Sequence, residues 1–309
     1  MLHLRVISPP ARTADVRRLL LDEPGATHVL LQEGMALQPP GDLVEADVTR
    51  EAVDGLLERL AELHVEATGG ITLEAIDTTL SDAADAAEAA VPGDPSDAIV
   101  WDELVERTGE DSRLSVSFQV FLTIACLLAA IGAVTNSPVT VVGAMVLGPE
   151  FGPLAAVAVG VVLRRGDLVR RGGLALAAGF PLAMGVTALT AVVFDATGLL
   201  PTNLDHLDEV DFIYQVGPFS LIVALLAGAA GMVALNSAKA AALVGVFISV
   251  TTVPAAGFFA VALVEGQFAR AGQSALQLLV NLAGIVVAAI VVLLIYRWTS
   301  ARARSRPGR

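Results

Sequence analysis

The stretch from Ile131 to Leu154 reads I-G-A-V-T-N-S-P-V-T-V-V-G-A-M-V-L-G-P-E-F-G-P-L and sits inside a long apolar region. It nevertheless carries Asn136, Ser137, three prolines and the carboxylate of Glu150. Hydrocarbon accepts such groups only where protein or water satisfies them. A weaker version returns downstream: Asn136-Ser137 reappears as Asn236-Ser237, and Val142 to Pro153 is echoed by Val244 to Pro254. The chain therefore reads as two copies of one membrane unit.

The charges agree. Residues 1 to 113 hold 24 of the 32 acids and 8 of the 19 bases, a balance of −16, whereas the remainder holds 8 acids and 11 bases. With 55% hydrophobic residues and a mean hydropathy of +0.70, the second part is a membrane domain and the first a soluble, acidic one. So acidic a surface excludes nucleic acid as a partner. Met1 to Pro10 has no basic segment followed by an apolar run, so the front domain is expected to stay in the cytoplasm. The single cysteine, Cys126, allows no disulfide within the chain.

In the front domain, Leu2 to Ser8, Thr27 to Gln32, Leu43 to Val48 and part of Val65 to Ile76 alternate as strands. Two helices are expected between them, one capped by Thr13 and running to about Leu21. The other is capped by Thr49, with Val53, Leu56, Leu57, Leu60 and Leu63 on one face. Gly34 to Gly41 reads as turn. The order βαββαβ predicts a ferredoxin-like α+β sandwich over residues 1–80, a fold that says little about function. Residues 81–113 read as a linker and an amphipathic helix, whose stripe of Val100, Trp101, Leu104 and Val105 is expected to pack on the front domain or a neighbouring subunit.

Six spans of ~20 apolar residues follow within residues 114–298. They fall near 115–135, 139–163, 172–197, 217–235, 240–264 and 274–297, and residues 299–309 form a basic tail. Arg164, Arg165, Arg170, Arg171, Lys239 and the arginines from Arg297 onward occupy alternate loops and the tail, which puts both termini in the cytoplasm. Three spans per copy is an odd number, so the second copy is inverted. The fold expected is an α-helical integral membrane protein, six spans as a 3+3 inverted repeat with broken helices, behind a cytoplasmic α+β domain. Pro149, Pro153 and Pro254 mark the breaks. Matching breaks in inverted halves point to a site at the bilayer midplane.

The candidate pathway residues are Asn136, Ser137, Pro149, Glu150, Pro153, Asn236, Ser237, Lys239, Thr251, Thr252 and Pro254. Four of them have a structural alternative: Asn136 and Asn236 as caps of the next helix, Lys239 as a topology anchor, Glu150 as a carboxyl kept protonated by desolvation or satisfied by open backbone N–H groups of a broken helix. Gln277, Asn281 and Asp195 read as polar glue between helices.

The run Gly132 to Pro153, with Gly143-Ala144-Met145 and paired Pro149 and Pro153, resembles the bacterial hydrophobic-protein family catalogued as domain of unknown function 389. The later Val244-Gly245-Val246 to Pro254 is similar to that family's second membrane motif. The resemblance implies a cytoplasmic front domain on a multi-span domain in the bacterial inner membrane, and no activity. Where the family places Leu, this chain has Glu150. The function expected is a transporter or channel for a small ion or solute, with a regulatory front domain. The alternative is a membrane-anchored sensor or scaffold. With no His, acidic pair or metal-ligand set in the spans, the chain does not read as an enzyme, and no cofactor or metal is expected. The partners expected are the lipid bilayer, a small ion or solute, and further copies of the chain.

Overall fold

The computed structural model describes residues 1–91, 98–199, 213, 217–236 and 251–304, the last five by backbone alone. Packing divides the chain into two compact units, one built on Met1–Leu104 and the other on Val105–Trp298.

The first unit runs β1 (Leu2–Ser8), α1 (Pro10–Leu21), β2 (Ala26–Leu37), β3 (Pro40–Val48), α2 (Arg50–Glu62), α3 (Val65–Thr68), β4 (Gly70–Ala75) and α4 (Asp82–Ala90). The sheet order is β2-β3-β1-β4 with every neighbour antiparallel, and Leu2 pairs with Val48 and Val6 with Val44. Strand alternation turns Leu2, Leu4, Val6, Val44, Ala46 and Val48 to one face. There they bury against Val16 and Leu20 of α1 and Val53, Leu56 and Leu60 of α2. Two expectations need correction. Helix α1 begins at Pro10, where the missing N–H costs nothing, and Thr13 lies inside its first turn, donating to Asp42 Oδ2 at 2.6 Å. The segment read as turn is mostly strand, because β2 and β3 extend through it and leave only residues 38 and 39 between them. Helix α5 (Trp101–Asp111) starts later than expected. Val100 just before it joins the front core, and the Trp101 N–H donates to Asp54 at 3.2 Å.

Among the described residues, the second unit holds α6 (Val116–Val134), α7 (Pro138–Leu147), α8 (Phe151–Val162), α9 (Gly166–Ala196), α10 (Pro218–Asn236), α11 (Thr252–Val264) and, up to Trp298, α12 (Phe268–Arg304). Helices α6, α9, α10 and α12 are each long and apolar enough to cross a membrane, and the pair α7 and α8, bent by 50° at a three-residue break, makes a fifth candidate span. The stretch read as span two is thus two helices. Of the stretch read as span five, only α11 lies within the described residues. The outward faces are apolar: Val120 and Ile124 on α6, Leu182 and Leu189 on α9, Ile222 and Leu226 on α10, Leu279, Val287 and Val291 on α12 are all exposed. A surface of this kind fits lipid rather than water. Inward, small residues dominate, and helices approach closely. A Cβ on Gly257 of α11 would stand 2.6 Å from the Cys126 carbonyl oxygen of α6. The chain has the character of a multi-pass membrane protein.

Helix ends explain Asn136. Its backbone is left-handed (φ 48), the Ser137 N–H donates to the Gly132 carbonyl at 2.8 Å and the Asn136 N–H to the Ala133 carbonyl at 3.1 Å. That is a Schellman closure of α6. The expectation that Asn136 caps the next helix is corrected: Ser137 does so, accepting from the Thr140 N–H at 3.4 Å.

Candidate functional site

Three residues, Gly148 to Glu150, separate α7 from α8. Pro149 has no N–H, so the chain cannot continue the α7 ladder there, and α8 restarts with Pro153 as its third residue, inside the first turn where proline is tolerated. Helix α11 is built the same way, with Thr251 as its N-cap and Pro254 as its third residue. The two N-termini meet. Glu150, the N-cap residue of α8, is buried and accepts a hydrogen bond on Oε1 from the hydroxyl of Thr252, the first residue of α11. Its Oε2 is buried with no hydrogen-bond partner among the described residues. The Glu150 side chain makes no capping hydrogen bond to the first turn of α8. Gly148 makes room, since a Cβ there would overlap Oε2.

The neighbouring Thr251 extends the polar cluster to α12. Its Oγ1 accepts from Asn281 Nδ2 at 2.9 Å and Gln277 Nε2 at 3.2 Å. Ser274, Gln277 and Asn281 are buried and fall at i, i+3 and i+7, one face of α12. Gln277 Oε1 and Ser274 Oγ also lack partners among the described residues. Thr251, Thr252, Glu150 and Pro254 are therefore brought together as expected of a site, while Gln277, Asn281 and Ser274 were missed by the sequence list. Three polar residues at helical spacing in an apolar span were the available signal.

Other candidates lie elsewhere. Asn136 and Ser137 are separated from the break by the ten residues of α7, ~15 Å of helix. Asn236 ends α10, buried, with Nδ2 unpartnered among the described residues. Ser237 and Lys239 lie outside the described residues.

On its other side the break faces a cleft of about 380 Å³, lined by Gly148, Pro149, Phe151 and Gly152, by Phe118 and Phe121 of α6, and by the charged Arg107, Glu110, Asp111 and Arg113. A Cβ on Gly152 would stand 2.7 Å from Asp111 Cβ, so the end of α5 presses on the first turn of α8. Burial raises the Asp111 carboxyl above the usual range, with Glu110 adding and Arg107 opposing.

The first unit holds a separate cluster. His3 Nδ1 and His28 Nδ1 contact the two oxygens of Asp47 at 2.8 and 2.7 Å, and His28 Nε2 contacts Ser81 Oγ at 2.8 Å. The hydrogen bond to Asp47 raises the His3 imidazole above its ordinary 6.5. Burial pushes the Asp47 carboxyl up, but hydrogen bonds to His28 and His3 outweigh it and hold it below 3.8.

No curated protein and no solved structure matches this chain. A family model does match, from Met145 in α7 to Val287 in α12, so it includes the break, Glu150, Thr251, Thr252 and the polar face of α12, while the part of the motif before Met145 precedes it. The model that matches residues 145–287 is that of a domain of unknown function, DUF389, the family the sequence resembles.

Proposed function

We propose that the chain is a membrane transporter or channel for a small ion or solute, which passes through the polar cluster around Glu150, and that the front unit, ferredoxin-like in strand order, regulates it from the cytoplasm. One observation carries this reading: a carboxylate oxygen buried without a hydrogen-bond partner among the described residues, where two helix N-termini meet inside a bundle with lipid-type outer faces. Buried unpartnered charge costs several kcal/mol, so such a group persists where it serves a cavity, an ion or a proton.

In this reading six spans form a 3+3 inverted repeat in a bacterial inner membrane. The matched starts of α8 and α11, each with proline at its third residue, support it, as does the bond from Thr252 to Glu150 between the two copies. Orientation has support too. Arg297 Nη1 donates to the Val162 carbonyl at 3.0 Å, so the arginine that opens the tail lies beside the turn of Arg164 and Arg165. Thr135 and Leu199, the ends of α6 and α9, line one apolar cavity of about 210 Å³. Purified protein in liposomes should show protein-dependent flux in a screen of protons, alkali cations, anions and small neutral solutes. Correctly inserted protein that moves none of them would return the reading to a membrane-anchored sensor or scaffold.

A further inference from the structure

We propose that Glu150 holds a single proton, exchanged with water in the cleft that Gly148 walls off. The inference deepens the transport reading and rests on it for the movement of the proton, though not for its binding.

The charge count points to a monovalent species. Glu150 is the only acid in the buried cluster among the described residues, so a divalent cation would leave uncompensated charge in hydrocarbon. The ligand set then separates a proton from an alkali cation. Hard cations gather about six or more oxygens. Here Thr251 Oγ1 is already taken by two amide N–H donors from Gln277 and Asn281, which direct hydrogens into the cluster. Oε1 is taken by the Thr252 hydroxyl, and Oε2 has no hydrogen-bond partner among the described residues. A proton needs only that one oxygen: as an O–H bond of a hydronium ion in the cleft breaks, an O–H bond forms on Oε2, the carboxylate charge disappears and the hydronium becomes neutral water. In the reverse step the O–H electron pair stays on Oε2 and the proton passes to water as hydronium. The N-termini of α8 and α11, each carrying about half a positive charge, then support the ionised form.

The route is given by the same glycine. Gly148 stands against Oε2 and also lines the cleft, so no side chain of residue 148 separates the two. Across that wall the charged groups are Arg107, Glu110, Asp111 and Arg113, two of each sign, which admit water without concentrating either sign. From the helices packed on the closed side, the titratable group that feels Glu150 is Cys126 of α6. The described residues of α11 up to Val264 contain none, and the buried α12 face offers Ser274, Gln277 and Asn281.

The test is infrared difference spectroscopy of the purified full-length protein during a pH titration, with potassium or sodium as the only alkali cation. A protonated-carboxyl C=O band should titrate in the wild type and be absent in Glu150→Gln. In Thr252→Val, which keeps the shape and removes the donor to Oε1, the band should remain and move to higher wavenumber. Gly148→Ala should slow its hydrogen–deuterium exchange at least threefold. No titrating band, or one that sodium displaces at constant pH, overturns the proton. Unchanged exchange in Gly148→Ala overturns the route. A band with all these properties in protein that transports nothing keeps the proton site and removes the transport reading, while flux without the band does the reverse.

Discussion

Glu150 is tolerated because three neighbours were chosen around it: Gly148 supplies space, Thr252 supplies a donor, and Pro149 opens the backbone. The sequence marked Glu150 and both threonines, since a carboxylate among prolines in an apolar run has few explanations. It left Gln277 and Asn281 as helix glue, because their role depends on which helix faces Thr251, and that is a matter of tertiary packing. His3, His28 and Asp47 carry no joint signal in the sequence for the same reason. They are far apart in sequence and are joined by the pairing of β1, β2 and β3, which sets His3 opposite Asp47. Their linkage has a definite sign. His3, raised above 6.5, contributes stability fully below that value and loses it as pH rises through its folded value. Asp47, lowered from 3.8, contributes above that value and loses it as pH falls. Thermal stability of residues 1–104 should therefore be highest between about pH 4 and 6.5, and Asp47→Asn should flatten both limbs. A pH profile that the substitution leaves unchanged would contradict the linkage.

At the scale of elements, the strands and the α2 face were legible because alternation and the 3.6-residue period survive in a half-buried surface. The start of α1 was misplaced, since a threonine in the first turn looks like a cap from sequence, and here it binds Asp42 instead. The break in span two was legible as Gly and Pro clustering. Asn136 was misassigned because asparagine serves both as N-cap and as left-handed closure, and only the chain direction after α6 decides. Among the described residues, Arg164, Gly198 and Gly266 make closures of the same type. Asn136→Gly should accordingly be neutral or slightly stabilising, whereas Asn136→Val, β-branched at positive φ, should cost ~1–2 kcal/mol. Helical circular dichroism on heating in detergent would check both, and equal melting of the two variants would contradict the closure.

At the scale of the whole molecule, charge segregation announced two units, and packing divides the chain close to the same place, near Leu104. Residues 1–104 have their own sheet and core, so they should express as a soluble, cooperatively folding fragment. An aggregated or unfolded fragment would contradict that independence. For the second unit, Asp167→Cys should be protected from a membrane-impermeant thiol reagent in intact cells, and Gln267→Cys labelled. Both positions labelled, or both protected, would undo the inverted geometry, and the reverse pattern would undo the orientation. The central claim is that the permeant passes Glu150, and one paired measurement tests it most directly: flux in liposomes and thermal stability in detergent, wild type against Glu150→Gln. The account predicts at least a tenfold loss of flux or a changed pH dependence, with melting nearly unaltered, because glutamine keeps the shape and the acceptor for Thr252. Full flux in Glu150→Gln, at any stability, would contradict it.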